Sequence, residues 1–437
     1  MPTTTRGRSR FRPALDIESL EVRSLLSAIA AIDWKMAPQV APDPARGNQP
    51  DLPNTSAYVN PKSGYGLTLD ASGSTGVASG SKFAWTVSGP GVKAIHLKGE
   101  QPSLALPQGN YKVTLQATGL AGSKGSVRAT TTVQVKDVLI VSIGDSFASG
   151  EGNPVVPGLY FLKSPQWGYS PDPAMNRENA LAHRSTISGP GQFALQLQQA
   201  NPHEAVTFVS VASSGATVAK GLLGPMTSVG DSSVQLPAQL DEVRKIIGSR
   251  HIDALTVSIG GNDLGFTSTL THLIEHTASG YPSLATTRAS LASGLKALPA
   301  TYAALGSAIQ GLAPSQVLIT EYPDISRDQT GAVATILGPL DATLISKSDA
   351  QFASAEVIAP LDAAVAAAAR ANHWTYVTNI SADFATHGYP STDSWVRTFG
   401  QSLRTEESRD GTFHPNLAGN QDIGRHILAN YLGDGGH

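Results

Sequence analysis

The stretch 138–146, Val-Leu-Ile-Val-Ser-Ile-Gly-Asp-Ser, decides the fold. Its apolar run carries no charge, is too short to cross a membrane, and stops abruptly at Gly144-Asp145-Ser146. Such a run reads as a strand buried on both faces of a parallel sheet. Gly144 permits a tight bend, so Ser146 falls where the chain turns toward a helix. A hydroxyl held there sits at the carboxyl edge of the sheet, close to unpaired helix N–H groups. That edge is where open α/β sheets place ligands and chemistry.

Downstream the rhythm of strand then helix repeats. Strands are predicted at 138–143, 205–212, 252–259, 317–322 and 374–379, with helical patterns near 191–200, 235–247, 288–312 and 350–371. A last helix is predicted from Pro415 to Tyr431. Five parallel strands with helices on both faces predict a three-layer, doubly wound α/β domain over 137–437, of flavodoxin-like type. The loops at 147–188 and 264–287 are long, as functional insertions often are.

Upstream the period changes to two. Phe83, Trp85 and Val87 alternate with Lys82, Ala84 and Thr86; Val113, Leu115 and Ala117 repeat the pattern, as do Val127 to Val135. Gly- and Ser-rich turns separate these runs, which predicts a small antiparallel all-β sandwich over 63–136. Leu69-Asp-Ala-Ser-Gly-Ser74, the Trp85 strand and the closing Thr-Val-Gln-Val-Lys-Asp137 resemble a PKD-type immunoglobulin-like module. The resemblance implies a spacer or a sugar-binding accessory, with a plain spacer the simpler reading. Residues 33–62 contain six prolines and little periodicity, a composition that predicts a stiff, extended linker.

Arg6, Arg8, Arg10 and Arg12 open the chain, and a short apolar stretch follows late, after interrupting acidic residues. This departs from an ordinary secretory signal. A disordered basic tail is one reading. However, Leu20-Glu21-Val22-Arg23-Ser24-Leu25-Leu26 resembles the Leu-Glu-Pro-Arg-x-Leu-Leu segment at the start of many planctomycete extracellular proteins, with Val22 in place of proline. The resemblance implies that 1–32 is an export segment and the protein is secreted or held at the cell surface.

Composition excludes several functions. Among 437 residues, 41% are apolar and 15% charged, for a net charge of -3. A core of good size is therefore available, and no basic footprint for nucleic acid exists. With no cysteine there is no disulfide, thiolate metal site or Cys nucleophile. No run approaches the ~18 apolar residues of a membrane span.

Four segments are predicted at one edge of the sheet: Ser146, Ser213-Ser-Gly-Ala-Thr217, Gly260-Gly-Asn-Asp263 and Asp410-Gly-Thr-Phe-His-Pro-Asn416. Alone, each reads as a turn or a helix start. Together they supply what ester hydrolysis requires. A serine hydroxyl needs a neutral imidazole to take its proton. The developing oxyanion needs fixed donors, each worth roughly 10²–10³ in rate. Ser146 offers the hydroxyl and its own N–H, Gly215 an unshielded N–H, and Asn262 an amide that never titrates. His414 offers the base; with Pro415 as first helical residue, the helix dipole disfavours imidazolium. Asp410 is positioned to bind the other ring nitrogen. No metal or organic cofactor is needed.

The chain over 137–437 resembles the SGNH hydrolases, or GDSL-type esterases and lipases. The resemblance rests on Ile-Gly-Asp-Ser-Phe-Ala-Ser-Gly-Glu-Gly-Asn153, on Ser258-Ile-Gly-Gly-Asn-Asp-Leu-Gly-Phe266, and on the blocks of Gly215 and His414. It implies Ser146 as nucleophile, His414 as base, and Ser146, Gly215 and Asn262 as oxyanion donors. One departure stands out. The family usually places its acid three residues before the histidine, and position 411 is Gly; Asp410 lies four before. Either a loop brings Asp410 to the ring or a backbone carbonyl orients it.

Other candidates are weaker. His272 and His276 stand four apart without the Glu of a zinc-protease motif or a third ligand, so they read as a solvated face. Asp263 reads as a support for the Asn262 loop. Tyr160, Phe161, Trp167 and Tyr169 line an acyl or sugar pocket or pack locally, and Arg184 is a structural anchor that sequence cannot place. The resulting expectation is a serine esterase acting on a small-molecule or polysaccharide ester. Its rivals are a non-catalytic surface-binding module and an acyltransferase with the same residues. The ester and the oligomeric state are not specified by the sequence.

Overall fold

The structure, a computed structural model, describes residues 28–121, 125–159, 163–266, 269, 273, 284–338 and 343–434. The basic opening segment, Tyr160, Phe161, His272 and His276 lie outside the described residues. By contact the chain divides into two units: residues 28–33, Leu69–Pro102 and Lys112–Thr131, and residues Trp34–Thr68, Ser103–Tyr111 and 132–434. These units do not coincide with the expected segments 63–136 and 137–437.

In the first unit, strand Val77–Gly89 pairs antiparallel with Val92–Lys98 on one side and with residues 112–120 of strand Gly109–Leu120 on the other. Trp85 faces Leu97 and Leu115 across the ladder, and Val87 faces Ile95 and Val113. Period two survives as burial: Trp85, Val87, Val113, Leu115 and Ala117 are all buried while the residues between them are more exposed. The Trp85 indole N–H donates to the Gly99 carbonyl at 2.9 Å.

The second unit holds the parallel sheet. In sequence order its strands are Asp137–Gly144, Ala205–Ser210, Ala254–Ser258, Gln316–Thr320 and Thr375–Val377. In space they lie in the order fifth, fourth, third, first, second, and every pairing is parallel. All eight residues of the first strand are buried, which is why it read as one apolar run. The order reverses around that strand, between its neighbours two and three. Open α/β sheets bind ligands outside the carboxyl ends at this kind of switch point.

Helices Gly189–Ala200, Gln239–Ile247, Leu284–Gln310, Lys347–Asn372 and Leu417–Asp434 complete the layers. Ser188 caps the first by accepting the Gly191 N–H, with Pro190 inside the first turn. Helix Lys347–Asn372 is long and apolar enough by length and composition to cross a membrane. Its Phe352, Val357, Leu361 and Val365 belong to the domain core, which accounts for that apolarity.

Residues 34–62 are not the extended linker that their prolines predict. Val40, Leu52 and Val59 are buried in the core of the second unit. The Asn54 amide donates to the Ser210 carbonyl at 2.7 Å and accepts the Ser210 N–H at 3.1 Å. Tyr58 accepts the Phe208 N–H at 3.4 Å. Strand Ala205–Ser210 is an edge strand, and this segment satisfies backbone groups that would otherwise stand open.

Candidate active site

The turn at Gly144–Ser146 is built by backbone contact. Ser258 pairs with Gly144, and the Asp145 N–H donates to the Ser258 carbonyl at 2.8 Å. Gly144 has φ +141°, and a Cβ there would fall 2.1 Å from the Ser258 oxygen, so no side chain fits. Buried Gln239 clamps the same residue: its Oε1 accepts the Gly144 N–H at 2.8 Å and its Nε2 donates to the Gly144 carbonyl at 2.8 Å. Asp145 caps the short helix Ser146–Ser149 by accepting the Phe147 N–H at 3.0 Å. Its other oxygen accepts the Tyr322 hydroxyl at 2.5 Å. Burial pushes the Asp145 carboxyl up to about 7, against these hydrogen bonds.

The loops after strands two and three close beside it. The Ser213 N–H donates to the Gly144 carbonyl at 3.1 Å. Gly215 takes φ +80°, a left-handed conformation open to glycine. The Asn262 amide donates to the Ala216 carbonyl at 3.0 Å, and the Asp263 carboxylate accepts the Val218 N–H at 3.1 Å. Asp263 thus ties one loop to the other, and its burial raises its pKa. Arg184 secures the end of strand two. Fully buried, its guanidinium donates to the carbonyls of Ala212 at 2.9 Å and Val211 at 3.0 Å and to both oxygens of Glu242 at 2.8 and 2.9 Å.

His414 reaches this edge from the far end of the chain. Its Nε2 lies 2.8 Å from Ser146 Oγ, and the Phe147 ring packs 5.1 Å from the imidazole. Burial lowers the His414 pKa below the usual 6.5; the field of Glu151 and the carbonyls of Thr412 and Gly411 partly offset it. The preceding Phe413 has φ +74°, strained for a bulky residue. Phe413 and His414 are held there by Arg397, whose carbonyl accepts the Phe413 N–H at 3.0 Å and whose N–H donates to the His414 carbonyl at 2.8 Å.

Two expectations about this segment are corrected. Pro415 does not open the final helix: it bridges to Val396, and the helix starts at Leu417 with the Asn416 side chain accepting the Gly419 N–H at 3.2 Å. Burial, rather than a helix terminus, lowers the imidazole pKa. Asp410 does not bind the ring either. Its exposed carboxylate accepts the Ser408 hydroxyl at 3.0 Å, and its N–H donates to the same oxygen at 3.0 Å. No hydrogen bond joins that carboxylate to His414, whose Nδ1 makes no side-chain hydrogen bond.

Ser146, Gly215, Asn262, Asp410 and His414 all line one cavity of about 440 Å³. Its apolar wall is Phe147, Val229, Phe266, Leu344, Phe399 and Phe413. Trp167 and Tyr169 do not line it. Trp167 stacks on His183 at 4.3 Å, and Tyr169 lies under the Arg46 guanidinium, so both serve packing. Sequence reasoning missed Gln239, Tyr322, Glu151, His183 and Glu406. Among the described residues two groups come close enough to share a cation, Glu151/His183/Glu406 and Asp383/Asp422/His426. In the first the carboxyls are hydrogen-bonded to His183, Ser402 and backbone N–H groups. In the second Arg425 already supplies the positive charge.

The GDSL-like Lipase/Acylhydrolase family profile matches residues 142–421, a span that contains every loop of this cavity edge. The chain belongs to that family. As a family member it is a hydrolase. No curated protein matches it. Among solved structures it is similar to an extracellular lipase from Streptomyces rimosus at 22% identity and TM-score 0.44, covering 67% of this chain and 98% of that one. It is also similar to a family two carbohydrate esterase from Clostridium thermocellum in complex with cellohexaose at 13% identity and TM-score 0.32, covering 93% and 99%.

Proposed function

We propose that this protein is a serine esterase in which Ser146 and His414 act as a dyad on carboxylic esters. The observation that carries the reading is the 2.8 Å contact between His414 Nε2 and Ser146 Oγ at the cavity edge. In the proposed reaction His414 takes the Ser146 proton as Oγ attacks the ester carbonyl. The N–H groups of Ser146 and Gly215 and the Asn262 amide receive the oxyanion. His414 then protonates the departing alcohol, leaving an acyl-Ser146 ester. Water, deprotonated by the same imidazole, attacks that ester and releases the acid and the free serine. Asp410 is assigned no bond to the ring in this scheme; the carbonyls of Gly411 and Thr412 face it instead.

The six apolar side chains of the cavity favour an acyl chain over a bare acetyl group. A volume of about 440 Å³ is that of a small-molecule site. Export is proposed from the Leu20–Leu26 segment, and an accessory role for the antiparallel unit from its PKD-like pattern. Rates on p-nitrophenyl acetate and butyrate test the reading. Two further methylenes, each worth about 0.8 kcal/mol when buried, give a rise in kcat/KM of about tenfold. No turnover of either ester by folded protein would overturn the esterase reading in favour of a binding module. A product that appears only with a sugar acceptor would identify an acyltransferase.

A further inference from the structure

Position 411, where the family usually carries its acid, is closed to any side chain. A Cβ on Gly411 would fall 2.3 Å from the Gly152 Cα and 2.4 Å from Glu406 Oε1. The His414 turn therefore packs backbone to backbone on the loop that follows Ser146, and a buried carboxyl occupies the space an acid at 411 would need.

That carboxyl is one of a pair. Glu406 Oε1 accepts the Gly411 N–H and, at 2.6 Å, the Ser402 hydroxyl; its Oε2 accepts the Gly152 N–H at 3.1 Å. Glu406 lies beside Glu151, with an oxygen of each within 4.8 Å of the other, and each residue is at most 6% exposed. Both Glu151 oxygens lie 2.9 Å from His183 Nδ1, and His183 stacks on Trp167. A parallel link runs beside it: the Asn153 amide donates to the Pro415 carbonyl at 2.8 Å, and Arg397 donates to Asn153 Oδ1 at 2.9 Å. The loop 150–153 thus grips the residues on both sides of His414.

We propose that the Glu151–Glu406 pair stands in for the missing acid: Glu406 positions His414 through the Gly411 N–H, and Glu151 supplies the negative field that the imidazolium meets as it forms. The inference rests on the dyad reading above. Two carboxylates side by side cannot both ionise cheaply, so one proton is shared between them. Burial and the neighbouring Glu151 hold Glu406 well above the ordinary carboxyl range, while His183 pulls Glu151 below it despite burial. The charged and titratable groups facing the pair are His183, Arg397 and His414, with Asp410 acting on both histidines. Loss of the shared proton at alkaline pH sets two negative charges together and loosens the Gly411 anchor. Glu406 is a positioning residue, and a misplacement of about 1 Å at the base is worth about 10²-fold in rate.

Glu406→Gln and Glu406→Ala separate this role from simple packing. Glutamine keeps an acceptor for Gly411 and a donor for Glu151 but cannot ionise. Alanine is expected to lower kcat at least tenfold with KM within threefold, and glutamine to restore most of that rate while abolishing the alkaline limb of the kcat–pH profile. Hydrogen exchange of the peptide around Gly411, read by mass spectrometry, should accelerate in Glu406→Ala and not in Glu406→Gln. An alkaline limb unchanged in Glu406→Gln, or slow exchange around Gly411 in Glu406→Ala, overturns the proposal. Exchange does not depend on turnover, so a wild type inactive on all esters would refute the esterase reading separately. If Glu406→Ala does not fold, the glutamine profile and its exchange rate decide.

Discussion

Asp410 and His414 line the same cavity without touching: the Asp410 carboxylate bonds to the Ser408 hydroxyl at 3.0 Å, while His414 Nδ1 has no side-chain partner. Asp410 lies four residues before His414, one more than the family's spacing, and its carboxylate is hydrogen-bonded to Ser408. Asp410→Asn should therefore leave kcat on p-nitrophenyl butyrate within about tenfold of wild type. A bonded triad acid replaced by Asn loses about 10⁴-fold in kcat. A loss of that size would return Asp410 to the triad.

The pH dependence on the acid side follows from His414. Its pKa is lowered by burial, so the neutral imidazole persists below 6.5. The acid limb of kcat/KM in the free enzyme is expected below pH 6.5. A limb near 7 would contradict this and point to Asp145, whose carboxyl burial pushes up to about 7; Asp145→Asn would then move it.

Tyr322 joins the Gly144–Ser146 turn to the Asn262 loop. Its hydroxyl donates to Asp145 at 2.5 Å and accepts the Gly261 N–H at 3.2 Å. Tyr322→Phe leaves both of those groups unsatisfied, a cost of about 1–3 kcal/mol per group. Urea denaturation should register the loss, and kcat should fall about tenfold as two loops shift relative to each other. Wild-type stability and rate in this variant would show that the link carries nothing.

Arg184 is completely buried between Glu242, Glu178 and two carbonyls. Arg184→Ala strands the Glu242 carboxylate and is expected to cost about 3–5 kcal/mol in equilibrium unfolding. Adding Glu242→Leu should recover part of that loss. If the double variant is no more stable than the single, stranded charge is not the cause.

How far the sequence is legible depends on which physical signal a residue leaves. The first strand is buried on both faces, so its apolarity is continuous and its end at Gly144-Asp145-Ser146 is plain. The segments that line the cavity are legible by position, because each follows a strand or precedes a helix. Residues 34–62 are misread because their buried apolar members, Val40, Leu52 and Val59, are isolated among prolines, and Asn54 acts through backbone groups of an edge strand that sequence does not pair with it. Pro415 sits in a bridge to Val396 rather than in a helix, a tertiary pairing with no local signature. Glu151 and Glu406 lie 255 positions apart and meet only after folding. The one signal available was an acid flanked by glycines shortly after Ser146, at Gly150-Glu151-Gly152.

The central claim is that Ser146 is an activated nucleophile served by His414. A fluorophosphonate probe followed by peptide mass spectrometry tests it most directly, because only a reachable, activated serine forms the adduct. The account predicts stoichiometric modification of Ser146 in the wild type, none in Ser146→Ala, and labelling slowed at least 10²-fold in His414→Ala. Labelling at another residue, or an unmodified Ser146 in folded wild type, would contradict it.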